Sequence, residues 1–313
     1  MKKVSTTTRD AKFLLVLVGL AMLMLQNTIL DSHLRMLSGY AMTSVNSATA
    51  PCPVVHGNHG PINSRLPPLL RMPESMEVAM MLILQARTAR NQRASFLQIG
   101  ANDGKMFDPL YPSFNTTEKK ANWLGLQAEP QPNLYGDLAI LHADAPDWAF
   151  YLGAVAPPDV CVGGTIHFCE TKTPGVGDWP TQGQINHITN NCGALGSTMH
   201  LRERPCVSNF DDLIYRHATP AYLSHVMKYS SSSQPHRTYN IDLLQIDVEG
   251  KDYDILKLID WNQLYPVCIQ YESQHLGPNG QLAKDLLQQR GYKMVESLMD
   301  VLACQVAQPT MSA

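Results

Sequence analysis

The chain lacks any Cys-x-x-Cys pair, any long run of like charge and any internal repeat. The first absence removes the paired thiolates on which most structural zinc sites are built. The second, with a formal net charge of -3 and only 16% charged residues, removes the clustered basic surface that nucleic-acid binding needs. The third excludes a solenoid or array. Gly-x-Gly-x-x-Gly is also missing, and with it the usual cradle for a dinucleotide pyrophosphate. What is present is an apolar fraction of 44% over 313 residues, enough for one large core or two small ones.

The longest apolar run lies near the start, FLLVLVGLAMLML at residues 13–25, extendable to Leu30. Lys2, Lys3, Arg9 and Lys12 precede it, with only Asp10 opposed. A basic flank before an apolar run marks a signal peptide or a signal anchor. No small-x-small cleavage site follows closely, since Ala48-Thr49-Ala50 is distant and Pro51 stands behind it. The expectation is an uncleaved anchor at 13–30, a cytoplasmic tail at 1–12 and a lumenal remainder, with secretion as the alternative. The anchor makes the membrane a partner; nucleic acid is not expected to be one. Asn115-Thr116-Thr117 is a glycosylation sequon that suits a lumenal location. Of the seven cysteines, four crowd into residues 161–206, where an oxidising lumen would pair them. Cys268 lies in an apolar run and reads as a small core residue.

Residues 31–72, rich in Ser, Ala, Asn, Pro and Gly, read as a stem. The domain proper is expected over 73–313. Helical spacing marks residues 74–90. Strands are expected at 96–99, 123–128, 149–155, 241–248 and 267–271. Helices are expected at 132–141, 210–217, 253–259 and 281–290. Two last strands, 292–295 and 301–306, are joined too briefly for a helical crossover and should be antiparallel. Strands alternating with helices imply a mostly parallel sheet with helices on both faces. Residues 157–206 form a Cys-rich insertion with a hairpin at 164–170, and 230–237 a loop.

In such a sheet ligands bind beyond the carboxyl ends of the strands. The first strand ends at Gly100, Asn102, Asp103 and Gly104. Glycine lets backbone approach a ligand, while Asn and Asp hold turns. The second strand ends at Glu129-Pro130, 29 positions after Gly100, where a carboxylate can accept both hydroxyls of a ribose. Asn102 and Asp103 repel pyrophosphate but suit the amino-acid end of S-adenosyl-L-methionine. The fourth and fifth strands end at Asp247-Val248-Glu249-Gly250 and at Glu272-Ser273-Gln274-His275. Adjacent ends bring Asp247, Glu249, Glu272 and His275 to one crevice, a group able to take a proton from a hydroxyl or to hold a divalent cation. Taken singly, each of these acids also reads as a helix cap or a solvated strand end.

Over residues 93–306 the chain resembles the FkbM methyltransferases. The residues that carry the likeness are FLQIGANDG, GLQAEPQPNLYGDL, YLGAVA, RPCVSNFDDLI and LLQIDVEGKDYDILKLIDW, in that order. Many members have Lys where Gln245 stands and Glu where Asp252 stands. The resemblance implies an α/β class I methyltransferase (Rossmann-like) fold with an antiparallel last strand. It also implies S-adenosyl-L-methionine as cofactor and methyl transfer to oxygen. Glu129 and Pro130 would contact its ribose, and Ala154 would lie near its adenine. No resident metal is expected. The acceptor is expected to be a hydroxyl on a glycan or on a small molecule of the secretory pathway. The alternatives are a glycosyltransferase that uses Asp247 and Glu249 as an acidic metal motif, and a methyltransferase fold without turnover.

Overall fold

The computed structural model describes residues 67–105, 108–171, 187–188, 199–229 and 237–307. The expected tail and anchor, nearly all of the stem and the loop at 230–236 lie outside them. The chain divides into units 1–59 and 60–313, and every described residue belongs to the second. Among the described residues, no helix is long and apolar enough to cross a membrane.

Helix α1 (Met76–Thr88) opens on Ser75, whose side chain accepts the Val78 N–H, and carries Glu77 in its first turn. It leads into β1 (Ala94–Ile99), the short helices α2 (Tyr111–Phe114) and α3 (Thr117–Lys120), β2 (Trp123–Glu129) and α4 (Pro132–Leu141). Next come β3 (Trp148–Leu152), β4 (Ala154–Val155), β5 (Thr165–Thr171), β6 (His187–Ile188) and β7 (Met199–Val207). They are followed by α5 (Phe210–His217), α6 (Pro220–Val226), β8 (Met227–Tyr229), β9 (Arg237–Ile246) and α7 (Asp252–Lys257). The chain closes with β10 (Leu264–Glu272), α8 (Asn279–Gln289), β11 (Lys293–Glu296) and β12 (Asp300–Cys304).

The main sheet runs β11-β12-β10-β9-β1-β2-β3, with β8 added against β9. The five strands from β10 to β3 are parallel. β12 runs antiparallel to both β10 and β11, as the short connection requires. This is the class I methyltransferase arrangement that the sequence led us to expect. Every residue of β1 and β2 is buried, the mark of central parallel strands covered on both faces.

The period of two sorts their side chains. Leu97, Ile99, Leu126, Leu244, Ile246 and Ile269 join Leu213, Ile214 and Tyr222 of α5 and α6 on one face. Phe96, Trp123, Leu243 and Cys268 join Ala79, Met80 and Ile83 of α1 on the other. A buried ion pair locks that second layer in place. Arg87 of α1 donates to Asp242 Oδ1 of β9 at 2.8 Å through Nε, while Asp242 Oδ2 accepts the Ser95 N–H of β1 at 2.9 Å. The two central strands and their covering helix thus share one carboxylate, which has no exposure to water.

Four expectations change. The strand expected at 149–155 is broken at Gly153, and its two parts belong to different sheets, β3 to the main one and β4 to β4-β7-β5-β6. Gly153 inside the apolar run was the one local sign of a break, and nothing in the run shows that its two parts join different sheets. Residues 164–170 are not a hairpin; β5 is one long strand paired antiparallel with β7 over its whole length. The strand expected at 241–248 ends at Ile246, so Asp247 and Glu249 stand on the turn after it. Cys268 is not a lone core residue. It faces Cys304 in the β10–β12 register and forms a disulfide with it. Cys161 pairs with Cys206 at the two ends of the insertion.

Candidate functional site

Read along the α1 face, the four central strands share one progression. Phe96, Gly125, Leu243 and Cys268 lie in one row across the sheet. Two residues on, Gln98, Gln127, Gln245 and Gln270 form the next row, again in register. Two further on come Gly100, Glu129, Asp247 and Glu272. Each strand therefore turns from apolar to amide to strand-end residue on a single face. The amides are buried, and Gln127 Nε2 donates to Gln98 Oε1 at 2.6 Å. Sequence reasoning missed this row, although Gln-x-Gly, Gln-x-Glu, Gln-x-Asp and Gln-x-Glu at the strand ends were there to be read.

A cavity of about 360 Å³ opens above that row. It sits between β1 and β9, where the strand order reverses, the place open α/β sheets reserve for ligands. Of the residues expected at the site, Gly100, Asn102, Glu129, Pro130, Ala154, Asp247, Glu249, Glu272 and His275 line it. Asp103 and Gly104 do not. Asp103 accepts the Lys105 N–H within the turn. A Cβ on Gly104 would lie 2.5 Å from Leu138, so this glycine lets the turn pack on α4.

Gly100 also has a packing duty. Its φ is +79°, and a Cβ there would fall 1.8 Å from the Asp247 carbonyl oxygen. The ends of β1 and β9 meet so closely that only glycine fits. Asn102, at φ +54°, continues the turn and directs its N–H to Glu129 Oε2 at 2.9 Å. Glu129 Oε1 accepts the Gln131 N–H, also at 2.9 Å. A carboxylate 3% exposed is thereby held in one orientation by two backbone donors.

The β9 and β10 side is different in kind. Glu249 takes φ +52°, a conformation a non-glycine residue adopts only at a cost, of the sort that clusters at functional sites. Gly250 follows at φ +85°, and a Cβ on it would press on the His275 backbone at 3.1 Å. His275 Nδ1 lies 3.3 Å from Glu249 and 3.1 Å from Glu272. Burial, and then the neighbouring Glu272 and Glu249, push the Asp247 carboxyl up to about 8. Burial and Glu272 raise Glu249, against a lowering pull from His275. Asp252, buried and accepting the Glu272 N–H at 3.1 Å, is raised well above the usual range by burial and by Asp247.

Three further lining residues lay beyond sequence reasoning. Asp108, pushed up to about 6 chiefly by burial, comes from the loop before α2. Asp300, raised by burial and Glu272, comes from the first residue of β12. Phe168 comes from β5 of the insertion. No local pattern links them to the strand ends.

Several solved structures share parts of this outline. A fibrillarin pre-rRNA processing protein from Methanococcus jannaschii is 11% identical, with 75% of this chain and 76% of that one covered, at a TM-score of 0.34. A precorrin-6y C5,15-methyltransferase from Geobacter metallireducens is 12% identical over 76% of this chain and 94% of that one, at a TM-score of 0.32. Both likenesses are distant, and nothing below rests on them. No curated protein matches the chain. Residues 224–294 match the family model of the methyltransferase FkbM domain. That span runs through β9, Asp247, Glu249, β10, Glu272 and His275, so the acidic half of the cavity is the part that resembles FkbM proteins, and the match supports a methyltransferase.

Proposed function

We propose that the chain is an S-adenosyl-L-methionine-dependent O-methyltransferase. The observation that carries this reading is one cavity at the switch point that joins a backbone-held carboxylate, Glu129, to a crowded acidic cluster. The residues suit the cofactor. An ionised carboxylate has about four acceptor positions, so Glu129 suits ribose hydroxyls as donors alongside backbone N–H groups. Ala154, Val155 and Phe168 offer apolar surface for a base. The acids supply negative potential for an ammonium and a sulfonium, and the same charge opposes a nucleotide-sugar diphosphate.

Bound S-adenosyl-L-methionine supplies a methyl group on a positively charged sulfur. The protein's part is then to align a hydroxyl and to remove its proton. Asp247, Glu249, Glu272 and His275 are the groups for that task. Asp247, with its carboxyl near 8, binds and releases protons close to neutral pH.

A glycan or small-molecule hydroxyl in the secretory pathway is the acceptor we favour. The basic-flanked apolar run at 13–30 supports a membrane-anchored, lumenal placement. So do the Cys161–Cys206 and Cys268–Cys304 disulfides, which persist in oxidising compartments. Asn115 is exposed, as a glycosylation site must be. Endoglycosidase treatment of the cellular protein should shift its mobility, and Asn115→Gln should abolish the shift. Titration of the full-length protein with S-adenosyl-L-methionine and with UDP-sugars tests the chemistry. Binding of a nucleotide sugar with no response to S-adenosyl-L-methionine overturns the reading. Transfer of labelled methyl to a panel of glycans, lipids and small hydroxyl compounds then identifies the acceptor.

A further inference from the structure

Glu249, Glu272 and His275 each present one donor atom within 4.8 Å of the others. His275 Nδ1 stands 3.3 Å from Glu249 Oε2 and 3.1 Å from a Glu272 oxygen. Neighbouring donors around a six-coordinate ion with bonds of ~2.1 Å are separated by about 3 Å, the spacing of the two edges that meet at His275; the Glu249–Glu272 edge lies within 4.8 Å. A second observation comes from the glutamine row. Gln245 lines the same cavity at 2% exposure, and its Oε1 has no hydrogen-bond partner among the described residues. A buried amide oxygen without a donor calls for a ligand, and amide oxygens bind hard cations. The three donors come from three elements, a left-handed turn, a strand end and the loop after β10. Gly250 is what lets that loop close on the turn.

We infer that Glu249, Glu272 and His275 form a binding site for a divalent cation of the Mn²⁺ type, whose open positions receive the acceptor hydroxyl. One imidazole with two carboxylates suits Mn²⁺, which accepts nitrogen and oxygen donors together, better than Ca²⁺, which takes oxygen ligands. Two carboxylates balance the charge of the ion. Three protein donors leave room in a six-coordinate shell for an acceptor oxygen and water. The acceptor's part rests on the methyltransferase reading, whereas the ion site stands on donor geometry.

The experiment uses full-length protein stripped with a chelator and titrated with Mn²⁺, following loss of the free-ion electron paramagnetic resonance signal. Binding of one ion per chain is expected, weakened at least about tenfold in both Glu249→Gln and His275→Asn. Both side chains are partly exposed, so neither substitution opens the core; circular dichroism verifies the fold, and either variant suffices if the other misfolds. Glu296→Gln, an acid paired with Lys284 away from the cavity, should bind as the parent does. Absence of stoichiometric binding, or unchanged affinity in the folded variants, overturns the site. A parallel titration with S-adenosyl-L-methionine separates the two readings. Mn²⁺ binding without a response to S-adenosyl-L-methionine sinks the methyltransferase and keeps the ion site, and the reverse result does the opposite.

Discussion

The two halves of the cavity treat carboxylates in opposite ways. On the β1–β2 side one acid, Glu129, is tied by the N–H groups of Asn102 and Gln131. On the β9–β10 side Asp247, Glu249 and Glu272 gather with one imidazole between them, and burial plus mutual repulsion raises Asp247 and Glu249. Backbone donors are fixed when the fold forms, so the first half is ready for a ligand with hydroxyls. The second half has more negative charge than the surrounding protein balances. Protonation relieves that repulsion, as the raised Asp247 and Glu249 carboxyls reflect, and a bound cation would do the same. A preformed recognition half thus faces a half whose charge state is set by what binds.

The largest effect should come from breaking the seam between the halves. Gly100→Ala places a Cβ 1.8 Å from the Asp247 carbonyl oxygen at φ +79°, and should cost about 2–6 kcal/mol in strain and overpacking. Urea unfolding measures it; a loss below about 1 kcal/mol would mean that the seam relaxes freely. Next is Glu129→Ala, which strands two N–H groups and removes the proposed ribose acceptor. Affinity for S-adenosyl-L-methionine should fall about 100-fold, while Mn²⁺ affinity stays as it was. A parallel loss of both would erase the distinction between the halves.

Asp108→Asn probes the cost of ionising a half-buried carboxyl. Its carboxyl, raised to about 6, stays protonated in the folded chain at pH values where the unfolded chain has already released the proton. Stability should therefore decline as pH rises from about 4 to about 6 and then level off. In Asp108→Asn thermal melts across this range should lose that part of the decline, and an unchanged pH profile would contradict the assignment. The smallest effect belongs to Asp103→Ala. This side chain faces the turn rather than the cavity, so affinity for S-adenosyl-L-methionine should stay within about threefold of the parent. A larger drop would put Asp103 back at the site.

Helices α4 and α5 could be read to the residue because their signals are local. Pro132 stands at the start of α4, and Asn209 caps α5 by accepting the Asp212 N–H. The ends of β1 and β2 were legible to within a residue for a similar reason, since acids and glycines break apolar runs, whereas β9 stops two residues before the expected 248. Helix α6 was overlooked although Thr219 and Pro220 carry the same kind of start signal. What could not be read depended on long-range register. The Cys268–Cys304 bridge exists because β10 and β12 pair with those residues opposed. Asp300 reaches the cavity because β12 begins beside it, and Phe168 because the middle of β5 passes it.

The disulfide between Cys161 and Cys206 joins the two feet of the insertion, 45 positions apart in sequence. Beside it β4 pairs with the end of β7, so the chain leaves and re-enters the domain at nearly one point. The insertion is in effect a cassette on a fixed mount. Its contents can lengthen, shorten or change shape without altering the spacing from β3 to α5. Since it sends Phe168 into the cavity wall, a change inside the cassette reaches the cavity while leaving Glu129 and the glutamine row untouched.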